Sequence, residues 1–317
     1  MPTVPVLDHD AVLAAVSPAD AVAHTREAFL RHHEGAWRMP SKVYLESPPF
    51  GDFRAMPAIG DGFAMLKWIS SFPGNPQRGL ATVQGIVVLS DAETSEPRAL
   101  LDARAVTALR TGAVAAVAAR ALAPAAASTV GVIGAGLHGR WAARCLAAAG
   151  YGPGVASDPR HEAAAELAAE LGDGWRAGTR DEALGQDVVC CVTPGATPVV
   201  ELADLRPGLH LNMLGADGPG KQEAAIDAVA ACELFCDEWA QASHGGELTA
   251  AVDAGAVGRD DVRDLGAVLA GDAGGRSSDD AVTLFDSTGL AIQDLAIALA
   301  ALRAWEAGRV TAPQVMI

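Results

Sequence analysis

The stretch Thr129–Ala143, TVGVIGAGLHGRWAA, decides the fold. An apolar run, VGVI, leads into Gly134, Ala135, Gly136, Leu137, His138 and Gly139, after which the pattern turns helical. The three glycines have separate tasks. The first allows a tight turn, the second lets backbone approach a pyrophosphate, and the third lets helix pack closely on strand, while the helix N-terminus offers phosphate its partial positive charge. A bare GxGxxG is weak evidence. Here it follows a strand, opens a helix, and is followed by Asp158 at the end of the next apolar run, close to the spacing of about 20 residues for a ribose-binding carboxylate. That context favours a dinucleotide site over an ordinary glycine-rich turn. Asp158 points to NAD, because a carboxylate accepts a hydrogen bond from the ribose 2′-hydroxyl and repels a 2′-phosphate. Arg160, two residues on, leaves NADP open.

Outward from this turn, the downstream order is helix GRWAARCLAAAG, strand GVASD, helix PRHEAAAELAAEL, strand QDVVCCVT, strand LHLNMLG and further helices. That alternation predicts an α/β fold with a doubly wound parallel sheet. AGDAGGRSSDDA reads as a loop, and the closing helix LAIQDLAIALAALRAWEAG is apolar enough to pack onto something large. Upstream, residues 10–31 read as helical with Ser17 as a cap. The runs SKVYLE, GFAMLKWIS, ATVQGIVVLSD and PRALLD read as strands of hairpins or meanders separated by SPPFGD and FPGNPQRG. A long helix, DARAVTALRTGAVAAVAARALAP, with Asp102 as cap, then leads into the glycine turn.

At 317 residues and half hydrophobic, the chain is long enough for two cored domains and too apolar to be disordered. Acidic groups outnumber basic ones, 39 to 23, for a formal charge of −16, which argues against nucleic acid or an anionic membrane as partner. The start MPTVPVLDHD lacks a signal peptide's basic and apolar parts, and no uninterrupted apolar run approaches the ~20 residues that span a bilayer, so the expected compartment is the cytoplasm. Five cysteines, without a CxxC pair or histidines at zinc-finger spacing, are expected as buried thiols, and no metal is expected.

Polar groups where apolar ones belong mark candidate chemistry. Arg110 has Val106, Thr107, Ala113, Val114 and Val117 as helical neighbours, so it lies in the stripe facing the core. A buried guanidinium needs an anion, either a substrate carboxylate gripped by two parallel hydrogen bonds or one of the chain's own carboxylates. Lys67, in GFAMLKWIS, shares a face with Phe63, Met65 and Ile69, and neither face looks wet. Desolvation there lowers its pKa unless an anion is close, which suits carboxylate binding or proton transfer; the alternative is an edge-strand lysine snorkelling to solvent. Asp217, in LNMLGADGPGKQE, follows a predicted parallel strand, where open α/β sheets form their ligand crevice, although DGPG is also an ordinary turn signal.

Taken in order, RMPSKVYLE, GDFRAMPA, LKWISSFPGNPQRGLATV, LDARAVTALRTGAV, GVIGAGLHGR, LNMLGADGPGKQE and FDSTGLAIQD resemble the ornithine cyclodeaminase/mu-crystallin family over essentially the full length. TALRTGA and GADGPGK are the most specific, and the wording is nearest the branch of archaeal-type alanine dehydrogenases. The resemblance implies a Rossmann NAD-binding domain, residues 125–290, inserted in a split α+β substrate-binding and dimerisation domain, residues 1–124 plus 291–317. It implies that Arg38, Lys67 and Arg110 hold a substrate carboxylate, that Thr111 contacts phosphate or substrate, and that Asp217 handles protons on the amine or attacking water. Ser287, in the STG turn, then lies near the nicotinamide. The expected cofactor-binding set is Thr111, Gly134, Gly136, Leu137, His138, Gly139, Asp158, Thr193 and Ser287, with Lys67 and Asp217 catalytic.

In the cyclodeaminase branch a glutamate meets the distal amine of ornithine at the position of Arg54, in FRAMP; a cation there repels that ammonium, by a few kcal/mol at ~4 Å in a partly buried site. Arg54 therefore joins the expected substrate-binding residues. The resemblance implies an NAD(H)-dependent oxidoreductase that interconverts a small L-amino acid and its imino or keto acid, with alanine and pyruvate plus ammonia as the leading pair. The alternatives are a cyclic-imine (ketimine, pyrroline-2-carboxylate) reductase, an ornithine cyclodeaminase and, ranked low, a non-catalytic ligand binder. A homodimer is expected.

Overall fold

A computed structural model of the protein describes residues 3–172, 174–195, 197–218 and 220–317. The chain forms two compact units, Met1–Arg110 with Leu290–Ile317, and Thr111–Gly289. The division falls inside helix Ala103–Leu122 rather than after it, so that helix contributes residues to each unit.

The first unit opens with strand β1 (Thr3–Leu7) and helices α1 (His9–Ala15) and α2 (Pro18–His33). The helical stretch expected over residues 10–31 is two helices, with Ser17, as expected, the cap of the second. Ser17 is extended and its side chain accepts from the Asp20 N–H at 3.1 Å, while Pro18, lacking an N–H, suits a first turn and not a helix interior. Strands β2 (Val43–Ser47), β3 (Gly51–Gly60), β4 (Phe63–Ser71), β5 (Val83–Asp91) and β6 (Pro97–Asp102) follow, then α3 (Ala103–Leu122), whose Ala105 N–H is capped by Asp102 at 2.8 Å. With the C-terminal strand Gln314–Met316 at one edge, the sheet order is C-terminal strand, β1, β6, β5, β4, β3, β2.

β3 was not expected, because Pro57 and two flanking glycines interrupt its pattern. It tolerates Pro57 because β2 pairs only with residues 51–55, which leaves the far side of Pro57 without a ladder partner. β4 lies between β3 and β5 and is not an edge strand. One face of this sheet, with Met56, Met65, Ile69, Val87 and Leu89, is buried. On the other, Leu66, Trp68 and Ile86 lie exposed beside Val43 and Leu45 of β2, with Phe53 stacked on Trp68 at 5.4 Å. Both faces of β4 are apolar for different reasons, one being core and the other an uncovered surface.

The second unit contains β7 (Val130–Ile133), α4 (Leu137–Ala148), β8 (Gly154–Ser157), α5 (His161–Leu171), β9 (Trp175–Ala177), β10 (Val188–Cys191), β11 (His210–Met213), β12 (Glu233–Cys236), β13 (Val262–Asp264) and β14 (Thr283–Asp286). All pairings are parallel, in the order β13, β12, β14, β11, β10, β7, β8, β9. From β7 the chain runs outward through β8 and β9, then returns to the other side with β10. The order therefore reverses between β7 and β10, the switch point at which such sheets bind ligands. VGVI, GVAS, VVCC and TLFD are buried throughout, as strands covered on both faces must be. His210 and Asn212 interrupt this pattern and satisfy each other at 3.3 Å; His210 also meets Thr283 at 2.9 Å, and Asn212 donates to the Ala115 carbonyl of α3. Burial drives the His210 pKa down to about 3, so the ring is neutral.

Candidate active site

Lys67 lies on the buried face of β4, opposite Met56 on one side and Val87 on the other, and is 1 % exposed. Its Nζ is 2.5 Å from Asp294 Oδ2 and 3.4 Å from Thr107 Oγ1. Arg110, one turn beyond Thr107 on α3, places Nε 3.4 Å from the other oxygen of Asp294. Asp294 itself is fully buried in the first turn of the closing helix Ala291–Glu306, where the helix dipole favours an anion. Two cations thus share one carboxylate, and a single positive charge is left over within this trio. Burial is the largest influence on Lys67 and lowers its pKa to about 7 against the attraction of Asp294, with Arg110 and Lys42 pushing the same way as burial.

Two alternatives raised by the sequence are decided here. Lys67 does not snorkel at an edge, because β4 is interior. Arg110 does meet one of the chain's own carboxylates, but it shares that partner with Lys67. Asp294 was missed, although a lone aspartate in LAIQDLAIALA is the same kind of signal that singled out Arg110. Lys42, close enough to act on Lys67, was missed because SKVYLE offers no unusual spacing.

Arg54 is 7 % exposed and shares its sheet face with Met56 and Ala58. Its Nε donates to Asp52 Oδ1 at 2.6 Å and Nη2 to Oδ2 at 3.2 Å, while the guanidinium lies 5.2 Å from the Tyr44 ring. Arg38 is exposed, tied by backbone hydrogen bonds to Ile59.

In the second unit, each fingerprint glycine has a distinct environment. Gly134 has φ +104°, and a Cβ there would lie 2.5 Å from the Val192 carbonyl oxygen. At Gly139 a Cβ would lie 1.9 Å from the Gly134 carbonyl oxygen, so helix and turn could not close. Gly136 is exposed, caps α4 without a side-chain hydrogen bond, and a Cβ there would meet nothing within 4 Å. That open approach to a helix N-terminus is the space a pyrophosphate needs. Leu137 and His138 form the first turn of α4, partly exposed. Asp158 accepts from the Ala135 N–H at 2.9 Å through one oxygen, and from the Arg160 N–H at 2.9 Å and guanidinium at 3.3 Å through the other. α3 approaches α4 so closely at Gly112 that a Cβ would lie 2.3 Å from the Trp141 carbonyl oxygen, and the adjacent Thr111 hydroxyl is buried without a hydrogen-bond partner among the described residues. An open glycine, an orphaned hydroxyl and a carboxylate after β8 fit a dinucleotide.

The loops after the other central strands carry the remaining expected residues. Asp217, after β11, is one-third exposed and lies 2.5 Å from Lys221 Nζ. Thr193, after β10, donates both its N–H and its hydroxyl to Glu223, at 2.6 and 2.7 Å. Ser287, after β14, donates to Asp237 at 3.3 Å, and that carboxylate also accepts from the Thr288 hydroxyl and the Gly289 N–H. The cysteines are free thiols, and burial pushes Cys145, Cys190 and Cys232 up to about 12, which leaves them unreactive.

Residues 5–308 match the ornithine cyclodeaminase/mu-crystallin family. The chain belongs to that family. Among its relatives, an alanine dehydrogenase of Archaeoglobus fulgidus is 41% identical over 298 residues, 92% of each chain. An iminosuccinate reductase of Paracoccus denitrificans is 36% identical over 240 residues, 74% of this chain and 75% of the other. The solved structure of an archaeal alanine dehydrogenase dimer with bound NAD superposes with a TM-score of 0.95 at 38% identity, covering 100% of both chains.

Proposed function

We propose that this member of the family is an NAD(H)-dependent oxidoreductase that interconverts L-alanine, or a similarly small amino acid, with its keto acid and ammonia. The observation that carries the reading is the buried trio Lys67, Asp294 and Arg110, whose one spare positive charge matches a single carboxylate. The 41% identity to an alanine dehydrogenase supports the same substrate class. Arg110 and Lys67 hold the carboxylate, with Arg38 assisting. The glycine turn, Thr111 and Asp158 hold NAD, which when bound supplies the hydride acceptor for the substrate's α-carbon. Asp217 takes a proton from the water that adds to the resulting imino acid and returns one to the departing nitrogen. Arg54, at the position where the cyclodeaminase branch has a glutamate, provides no carboxylate for the distal ammonium of ornithine, and its own charge is matched by Asp52.

Reduction of an imine is the second reading, favoured by the likeness to an iminosuccinate reductase. The exposed apolar sheet face of Leu66, Trp68, Ile86, Val43 and Leu45 supports a homodimer, because a monomer seldom leaves so contiguous a patch to water. The reading is of a cytoplasmic enzyme.

Absorbance in the nicotinamide band tests the assignment. L-Alanine with NAD is expected to yield net NADH, and pyruvate with ammonium to consume it. Ammonia release from ornithine without net NADH, or NADH consumption with imines alone, overturns the alanine reading, and silence across the panel with NADH bound favours a ligand binder.

Lys67 gives the carboxylate site a pH dependence. With its pKa near 7 in the free protein, the ammonium is present below that value and lost above it. The affinity for pyruvate, which has no amine to titrate, is expected to fall by up to about tenfold per pH unit from pH 7 to 9. Titration of the Lys67→Arg variant over the same range is expected to be flat.

A further inference from the structure

Glu223 is fully buried, and its two carboxylate oxygens face different loops. Oε1 accepts the Thr193 N–H at 2.6 Å and hydroxyl at 2.7 Å, from the loop after β10; Oε2 accepts the Gly215 N–H at 2.7 Å, from the loop after β11. Residue 215 has no room for a side chain, since a Cβ would lie 2.3 Å from the Thr193 carbonyl oxygen and 2.6 Å from Glu223 Oε1. Behind Glu223 stands a second buried carboxylate. Glu247 accepts the Glu223 N–H at 2.9 Å and the Ala224 N–H at 2.6 Å. The next residue, Leu248, donates its N–H to Asp286 at the end of β14, at 3.1 Å. Burial raises the pKa of Glu223, and burial together with the neighbouring Glu223 and Asp286 raises that of Glu247. Holding such acids in a dry interior is costly, yet their hydrogen bonds run to the loop backbones at one end of the parallel sheet.

We infer that Glu223 is the positioning residue of the loops after β10 and β11: it fixes Thr193 and Gly215 at one separation and thereby sets where Asp217, two residues beyond Gly215, is presented. The inference rests on the proposed role of Asp217. Glu223 can serve as a fixed point for this glycine-rich stretch because it is itself anchored by its carbonyl to the Val199 and Val200 N–H groups at 2.6 and 3.0 Å.

Glu223→Gln tests it. An amide keeps one acceptor and turns an N–H₂ toward the other loop, so a buried donor meets a donor. Hydrogen exchange read by mass spectrometry is expected to quicken about tenfold in peptides covering 193–195 and 214–218, while peptides of β7 and α4 keep wild-type rates. The kcat for alanine is expected to fall at least about tenfold, with the KM for alanine and the Kd for NADH within about threefold, because a displaced proton-handling group slows chemistry without weakening the carboxylate or cofactor grip. Unchanged exchange, or faster exchange with kcat intact, overturns the inference. Should Glu223→Gln not fold, Glu223→Asp keeps a carboxyl group but is one methylene too short to span both loops, and the same outcomes decide. A wild type silent toward every amino acid and imine overturns the proposed function instead; the exchange result then decides by itself whether Glu223 holds the two loops.

Discussion

Replacing Asp217 by asparagine is expected to lower kcat for alanine oxidation by roughly 10²–10⁴-fold, the range for removal of a general acid or base. Asparagine is chosen because it suits a turn as aspartate does and matches it in size, so the substitution removes the carboxylate and its charge pairing with Lys221. Were Asp217 merely a turn residue with a lysine partner, the variant would keep its turnover. The Kd for NADH, followed by fluorescence, is expected to stay within about threefold of wild type, since the glycine turn and Asp158 are untouched.

The second large effect is on stability. Asp294→Leu leaves Lys67 and Arg110 facing one another without an anion in a dry interior, and is expected to cost about 3–5 kcal/mol, the range for breaking a buried ion pair from one side. Urea denaturation, read as a shift of the midpoint at constant slope, measures it. Adding Lys67→Met to Asp294→Leu removes the most deeply buried cation, and the double variant is expected to recover most of the loss. Recovery follows because an apolar pair of similar volume fits a site lined by Met56, Met65 and Val87, and because Arg110, with 11% of its side chain exposed, still reaches water. A double variant no more stable than Asp294→Leu alone would mean that Asp294 is held for packing and not for charge. The double variant is also expected to lose carboxylate binding, which separates stability from function at this position.

Much of the candidate site is legible along the chain because its signals are local. A glycine that needs positive φ, a carboxylate at the end of the next strand and a guanidinium in an apolar helical stripe each violate or fulfil a pattern that a few neighbours define. Lys67 was visible for the same reason. What remained hidden depends on distant segments. Asp294 is nearly two hundred residues from Arg110 in the chain, and nothing local reveals that it stands between Arg110 and Lys67. Glu223 and Glu247 are ordinary loop glutamates by wording; only the convergence on Glu223 of backbone N–H groups from the loops after β10 and β11, and on Glu247 of the Glu223 and Ala224 N–H groups, reveals their place in the interior. β3 was missed because a proline ordinarily argues against a strand interior, and the pairing that excuses it is non-local.

The sequence by itself determined the doubly wound domain, its glycine turn and the presence of misplaced charges, since periodicity and backbone sterics act over a turn or two of chain. Only the tertiary structure decided how those charges are matched. The energy of a buried ion depends on which partners stand within a few ångströms, and that is a property of packing, not of spacing. Lys67, which by pattern alone was either a snorkelling surface lysine or a group paired in the interior, is the second, because β3 and β5 close on both sides of it and Asp294 of the closing helix meets its ammonium.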